Sequence, residues 1–243
     1  KSHTAYLNRH FQLFVVVVAA GAIFPLLYLR QNFELSILES FDITRIQLSN
    51  CYALMGLIFA VTYLPSGWLA DRFSTKLLII NSLAVTGLLG IWMASIPPYQ
   101  NLLLIFAGWG VSTGLTFWAA HIKVVSILAG ENYQGRFFGL LDGGRGLVEA
   151  ILATAALWVF ASLLNYETGD SELALTRVIY MYSIAIAIAT LLVYILLDDS
   201  KCGSPSPQPT NFLIEAKLIF SHRYVWIAAI CILCGYQLFW ATY

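Results

Sequence analysis

The chain has 243 residues, of which 59% belong to the set Ala, Val, Ile, Leu, Met, Phe, Trp, Tyr and Cys and 11% are charged, against about 25% charged residues in an ordinary soluble domain. Its mean hydropathy is +0.76, and thirteen Lys and Arg balance thirteen Asp and Glu. This composition excludes a disordered chain and a nucleic-acid-binding protein, and it predicts an all-α, polytopic membrane protein.

Apolar runs about 20 residues long, the length that crosses a bilayer core of about 30 Å, recur along the chain. They are continuous rather than alternating, which excludes transmembrane β-strands. The longest run is about twice the length of one span, and Pro97-Pro98 divides it. The runs predict seven spans, at residues 11–29, 46–70, 77–120 (two spans), 137–164, 178–197 and 225–243.

The Lys and Arg residues of the connecting segments predict the orientation, since such residues accumulate in cytoplasmic loops. If the N-terminus is cytoplasmic, the inner segments hold eight of them: Lys1, Arg9, Arg72, Lys76, Arg136, Lys201, Lys217 and Arg223. The outer loops then hold three: Arg30, Arg45 and Arg177. We therefore predict a cytoplasmic N-terminus, with the loop around Gly169 outside and the segment around Ser204 inside.

The chain organisation is predicted as a six-span bundle at residues 1–197, a cytoplasmic linker at 198–224 and the start of a seventh span at 225–243. Alternating Pro and polar residues characterise the linker. Apolar residues at helical spacing predict a short amphipathic helix there, formed by Phe212, Ala216, Ile219, Phe220 and Arg223. The chain starts without Met and stops inside an apolar run. We expect a fragment whose partner is the missing C-terminal half and which does not transport alone.

The most specific motif is GWLADRFSTK at residues 67–76, after the second predicted span. It resembles the G-x-L-a-D-r-x-G-r-k signature that the major facilitator superfamily carries between its second and third helices. The matching residues are Gly67, Asp71, Arg72 and Lys76, whereas Ser74 replaces a usual Gly and Thr75 a usual Arg. Apart from any family, Asp71 beside cations at a helix end can form a breakable charge network. The alternative is a basic loop that only sets topology.

Together with the six spans and the linker, this resemblance covers essentially the whole chain. It implies the six-helix N-terminal bundle of a major facilitator fold plus a partial seventh helix. In similar transporters the loop serves as a cytoplasmic gate between the two halves. A second stretch, residues 118–149, resembles bacterial members of unsettled substrate, which implies a multi-pass protein of the bacterial inner membrane.

Three charged residues interrupt the fifth predicted span: Asp142, Arg145 and Glu149. At 100° per residue they share one helical face, and Glu149 lies about 20 Å along the helix from Arg136. Charges at that depth cost about 2.5–3.5 kcal/mol each, so they must face a cavity or each other. Either they line a substrate and proton path, with Arg145 holding an anionic or hydroxyl-rich substrate, or they form a self-satisfied network that fixes helix packing.

Further polar residues extend the candidate path toward the inner end of the fourth span. Lys123 either contributes to the path or extends its ammonium group to the interface. His121 either carries protons or is hydrogen-bonded structure. Four aromatic residues offer either stacking surfaces for a sugar-like ligand or ordinary packing: Tyr28, Tyr52, Tyr63 and Trp118. The pairs Gly110/Gly114 and Gly139/Gly143 predict close helix contacts.

The residues predict transport rather than catalysis. The sequence has no phosphate-binding loop, zinc-protease motif or serine-hydrolase motif, and Cys231 and Cys234 have no His or carboxylate neighbours in their span, so we expect no metal and no cofactor. The resemblance implies a secondary active transporter working by alternating access. Arg145 favours a small polar or anionic metabolite, of sugar or carboxylate type.

The remaining alternatives concern the mode of transport and the class of protein. The family's antiporter signature is absent from the fifth span, which reads LLDGGRG at residues 140–146, and this favours symport, with protons as the coupling partner. The family's usual Arg early in the fourth span is also missing, which argues against proton coupling there. Exchange of phosphorylated compounds is the alternative within transport. A seven-helix receptor or retinal protein is the alternative from another class, although the last span has no Lys for a Schiff base.

Overall fold

The computed structural model describes residues 2–166, 170–198 and 220–241. The chain divides into two compact units, Lys1–Pro205 and Ser206–Tyr243. The predicted loops around Gly169 and Ser204, and the predicted amphipathic helix up to residue 219, lie outside the described residues.

The first unit is built from helices. They are α1 (Ser2–Leu27), α2 (Arg30–Ser40), α3 (Arg45–Arg72), α4 (Thr75–Met93), α5 (Tyr99–Val111), a π-helical segment (Ser112–Phe117), α6 (Trp118–Ala129), α7 (Gln134–Tyr166) and α8 (Ser171–Leu196). Six stretches are apolar and long enough to cross a membrane: Arg9–Ser40, Arg45–Arg72, Thr75–Met93, Tyr99–Ala129, Gln134–Leu164 and Ser171–Leu196. The described residues contain no strand. The prediction of an all-α, polytopic membrane fold is confirmed.

The second unit contains α9 (Arg223–Ala241), which begins two residues before the predicted seventh span. Its side chains are apolar through most of its length, and those described, up to Gly235, are exposed. A helix with apolar residues on all sides needs either lipid or other helices around it.

Local sequence signals act at both ends of α4, and the break at its C-terminal end was predicted. α4 ends at Met93, and α5 begins after Pro98, so the Pro97-Pro98 pair separates two spans. Ser74, which replaces the usual Gly of the motif, caps the N-terminal end of α4. Its hydroxyl accepts a hydrogen bond from the Leu77 amide.

The structure corrects one predicted boundary, at the connection between α1 and α2. Arg30 was assigned to an outer loop, but it is the first residue of α2. Pro25 lies in the last turns of α1, which ends at Leu27, and a two-residue turn then starts the new helix. The Arg30 guanidinium lies 4.4 Å from the centre of the Tyr52 ring, which contributes to holding α2 against α3.

The N-terminal side of α1 and the end of α8 lie at the same end of the bundle. Gln12 Nε2 donates to the Leu196 carbonyl at 2.9 Å, and the Asp198 amide donates to Gln12 Oε1 at 2.8 Å. Lys76, at the start of α4, places its Nζ 5.8 Å from the centre of the Tyr194 ring. We call this the motif end, because it also contains the α3–α4 connection. Six crossings thus return the chain to the end from which it started.

Small residues bring α1 against α7. A Cβ added at Gly21 would lie 2.5 Å from Val148 Cβ and 3.0 Å from the Arg145 carbonyl oxygen, and one at Gly144 would lie 2.6 Å from Val17 Cγ1. The contact places Phe24, one turn after Gly21, beside Arg145.

Small residues also bring α3 against the fourth span. A Cβ at Gly110 would lie 3.0 Å from Ile58 Cβ, and one at Gly114 would meet Thr62 and Phe59. The expected close contact at Gly110/Gly114 therefore exists. At Gly139 and Gly143 a Cβ would have no neighbour within 4 Å in this structure.

Substitution of Gly21 by Val is expected to destabilise the bundle by about 1–3 kcal/mol, because the new side chain would push α1 away from α7. Gly56→Val is the matched control, since a Cβ at Gly56 meets no atom within 4 Å. The measurement is the thermal unfolding of both variants of this chain in detergent. Equal melting temperatures for the two variants would contradict the close packing of α1 on α7.

α3 and α7 are the spans that the first unit covers least. Of the most apolar segment of each span, 72% of residues are buried in the first span, but 22% in α3 and 6% in α7. The charged face of α7 is therefore part of an open surface. We call the surface formed by α1, α3, α6 and α7 around Arg145 the open face.

Candidate functional site: the open face and the motif end

The fourth span contains the π-helical segment, whose wider turn changes the direction in which the following residues point. Its freed carbonyl groups are satisfied by hydroxyls: the Trp109 oxygen accepts from Thr113 Oγ1 at 2.6 Å, and the Ser112 oxygen accepts from Ser82 Oγ at 2.8 Å and Thr116 Oγ1 at 2.6 Å. These carbonyl groups of the irregular turn thus have hydrogen-bond partners within the core. The turn directly precedes Trp118.

Arg145 is the central cation of the open face. Its Nε lies 3.3 Å from Glu149 Oε1, its Nη1 lies 3.9 Å from Asp142 Oδ1, and its guanidinium carbon lies 5.0 Å from the centre of the Phe24 ring. The Nε atom is buried and has no hydrogen-bond partner. The contacts to the two carboxylates therefore compensate charge but leave a hydrogen-bond donor of the guanidinium unused.

Five aromatic side chains form a continuous surface beside Arg145, which we call the aromatic wall: Phe24, Tyr28, Tyr52, Tyr63 and Trp118. Ring centres are 6.0 Å apart for Phe24 and Tyr28, 6.5 Å for Tyr28 and Tyr52, 6.0 Å for Phe24 and Trp118, and 5.9 Å for Tyr63 and Trp118. All five side chains are partly exposed in this unit. The structure thus brings together the four aromatic residues singled out in the sequence and adds Phe24.

His121 lies behind the aromatic wall. The side chain is 3% exposed, its Nδ1 is 3.1 Å from the Phe117 carbonyl oxygen, and its ring is 4.7 Å from Phe117 and 5.3 Å from Trp118, centre to centre. Trp118 therefore packs on a histidine that is buried within the bundle rather than presented on the open face.

Lys123 and Asp71 join two spans at the motif end. Lys123 Nζ lies 2.7 Å from Asp71 Oδ1 and donates to the Ala70 carbonyl at 2.9 Å. The ammonium group thus pairs with the motif carboxylate and caps the C-terminal end of α3, where the helix dipole favours a positive charge. In space Lys123 lies with the 67–76 motif, although the sequence assigned it to the candidate substrate path.

Two other basic residues of the motif contact aromatic rings at the same end of the bundle. The Arg72 guanidinium lies 4.3 Å from the centre of the Trp68 ring, and Lys76 faces Tyr194. A Cβ added at Gly67 would meet no atom within 4 Å, so this position is open in the first unit. Among the described residues, no group of three or more His, Cys, Asp or Glu side chains is placed to hold a metal ion.

The structure therefore arranges the predicted residues in two groups. Asp142, Arg145 and Glu149 form one on the open face, and Asp71, Arg72, Lys76 and Lys123 form the other at the motif end. The sequence analysis did not identify Phe24 as a neighbour of Arg145. Gly21, one turn earlier, was the local signal for a close helix contact, but its partner helix was not identifiable from the sequence.

Comparison with known proteins places this architecture. The model of a family described as Major Facilitator Superfamily matches residues 10–243. Inner membrane protein YqcE of Escherichia coli (strain K12) is 29% identical over 198 residues, which are 82% of this chain and 45% of the relative. Inner membrane protein YihN of the same organism is 28% identical over 191 residues, 77% of this chain and 43% of the relative.

The chain spans less than half the length of these two curated relatives. No solved structure gives a significant match. The family match covers nearly the whole chain, and the six spans, the motif connection and the relatives agree with it. The chain belongs to the major facilitator superfamily, a family of membrane transporters.

Proposed function

We propose that the full-length protein is a secondary active transporter that moves a small polar or anionic metabolite across the bacterial inner membrane by alternating access, in symport with protons. The observation that carries this proposal is Arg145, a cation deep in a span, whose side chain is 26% exposed on the open face between two carboxylates of the same helix. A guanidinium in that position can donate paired hydrogen bonds to carboxylate or phosphate oxygens of a substrate.

The charges around Arg145 support proton coupling. With Asp142 and Glu149 ionised, the group carries a net charge of minus one, so binding a monoanionic substrate would bring it to minus two. A proton taken up by Glu149 would restore the original charge and release its ion pair with Arg145. The charged or titratable groups that α6 contributes beside it are His121, buried behind Trp118, and Lys123, paired with Asp71.

The motif end supports the alternating-access part of the proposal. We propose that this end faces the cytoplasm, on the count of eight Lys and Arg against three. The ion pair of Lys123 and Asp71 is partly exposed to solvent, with exposed side-chain fractions of 24% and 63%. It can therefore break and re-form at low cost as the gate opens and closes.

The test is uptake by the full-length protein in proteoliposomes, from a panel of labelled carboxylates, sugars and sugar phosphates, with and without an inward proton gradient. We expect saturable uptake of a monoanionic compound that the gradient accelerates. Uptake that instead requires a phosphorylated compound inside the vesicle would establish exchange and overturn symport. If no compound is taken up above the leak of empty vesicles, the transport proposal itself is contradicted.

A further inference from the structure

The aromatic wall lies directly beside the guanidinium of Arg145. Phe24 contacts both Arg145, at 5.0 Å from the guanidinium carbon, and Trp118, at 6.0 Å between ring centres. Tyr63 extends this surface from α3 and is 44% exposed. An apolar surface of flat rings thus adjoins one cation on the open face.

Each part of this arrangement recognises a different feature of a ligand. The electron-rich faces of aromatic rings attract the weakly positive C–H groups of a saturated ring, which can cover a flat surface of this kind. The guanidinium offers paired N–H donors with the geometry of a carboxylate. A mostly aromatic surface with one or two fixed polar groups is the usual composition of a small-molecule site.

The neighbouring charges narrow the class of ligand. Since Asp142 and Glu149 make the group negative overall, an anionic ligand binds there together with a proton, as in the proposed coupling. A neutral ring would make no charge-assisted contact with the guanidinium of Arg145, whose side chain is 26% exposed. An acyclic acid would satisfy Arg145 but would leave the aromatic wall uncovered. A ring that carries hydroxyl groups and one acidic group satisfies both parts.

We infer that the transporter binds a sugar acid in its ring form, with the acidic group on Arg145 and the ring against Trp118 and Tyr63. This inference rests on the proposed transport function and specifies its substrate class. Phe24 acts as a positioning residue, because its ring supports the guanidinium and adjoins the ring of Trp118.

The close packing around the wall explains why these side chains stay in place. The contact at Gly21 fixes Phe24 against α7, and the contact at Gly114 fixes α3 against the fourth span, which brings Tyr63 to Trp118. His121 also packs on Trp118, with 5.3 Å between ring centres and 79° between ring planes. A binding surface held by packed neighbours loses little side-chain entropy when a ligand arrives.

The test measures ligand binding to the full-length transporter in detergent by thermal stabilisation. The probes are D-glucuronate and D-galacturonate as ring acids, L-lactate as an acyclic acid, and D-glucose as a neutral ring. At least one ring acid is expected to bind at least about tenfold more tightly than L-lactate or D-glucose, since one lost interaction of about 1.4 kcal/mol corresponds to a factor of ten.

The variants separate the wall from the cation. Trp118→Ala is expected to weaken ring-acid binding about tenfold and to leave L-lactate binding within twofold, whereas Trp118→Phe keeps most of the ring-acid affinity. Trp92→Ala is the matched control, because Trp92 is 39% exposed on α4 and is not part of the wall.

The outcomes distinguish this inference from the transport proposal. If L-lactate binds and is transported as well as the ring acids, or if Trp118→Ala weakens both equally, the ring-acid inference is wrong while the transport proposal stands. If L-lactate is transported and no ring acid binds, the ring-acid inference is again wrong and the transport proposal again stands. If no labelled compound binds or is transported at all, both are contradicted.

Discussion

Replacement of Arg145 with alanine is expected to reduce uptake by at least about 30-fold, because truncating one partner of a buried charged contact costs about 2–5 kcal/mol. Arg145→Lys is expected to recover only part of the activity, since lysine keeps the charge but loses the planar pair of donors. The measurement is the initial rate of uptake in proteoliposomes, with the amount of inserted protein determined for each variant.

Two controls separate a role in the substrate path from a structural role of Arg145. Arg177→Ala removes an exposed arginine from α8 and is expected to leave uptake near normal. The triple variant Asp142→Asn, Arg145→Ala, Glu149→Gln removes the whole charge network. We expect it to fold normally without transporting. If Arg145→Ala alone transports normally, the three residues are a packing network and the substrate path lies elsewhere.

The second large effect is expected from Asp71→Asn at the motif end. Loss of the carboxylate breaks the 2.7 Å ion pair with Lys123 but changes nothing on the open face. We therefore expect turnover to fall about tenfold, equivalent to about 1.4 kcal/mol in the barrier of the conformational step, while the equilibrium affinity for substrate stays within twofold. Comparing uptake rate with equilibrium binding in the full-length protein separates the two quantities.

The Lys123 side of the pair provides a further control. Lys123→Gln is expected to reproduce the slow turnover, and the exchanged pair Asp71→Lys with Lys123→Asp is expected to restore part of it. Glu39→Gln, an exposed carboxylate of α2 at the opposite end, should have no effect. A large loss of substrate affinity with an unchanged rate in Asp71→Asn would exclude a gating role.

Several features of this protein follow from short stretches of sequence. The apolar runs predicted seven spans, and six of them are helices long enough to cross a membrane in the described residues. Pro97-Pro98 separated two of these spans, because a helix cannot continue through those positions. The shared face of Asp142, Arg145 and Glu149 follows from helical geometry alone. The 67–76 motif identified the family before any helix was placed in space.

The contacts that define the two groups of residues were decided by the tertiary structure. Lys123 and Asp71 are 52 positions apart in the chain, and Phe24 and Arg145 are farther apart still. In a membrane, lipid-facing residues are as apolar as buried ones, so hydrophobic periodicity does not show which face of a helix meets its neighbour. The close contacts at Gly21 and Gly114 depend on which helices pack together. Sequence therefore determined the six spans of the first unit and the charged face, whereas helix packing decided that Arg145 lies beside an aromatic wall and that Lys123 pairs with the motif residue Asp71.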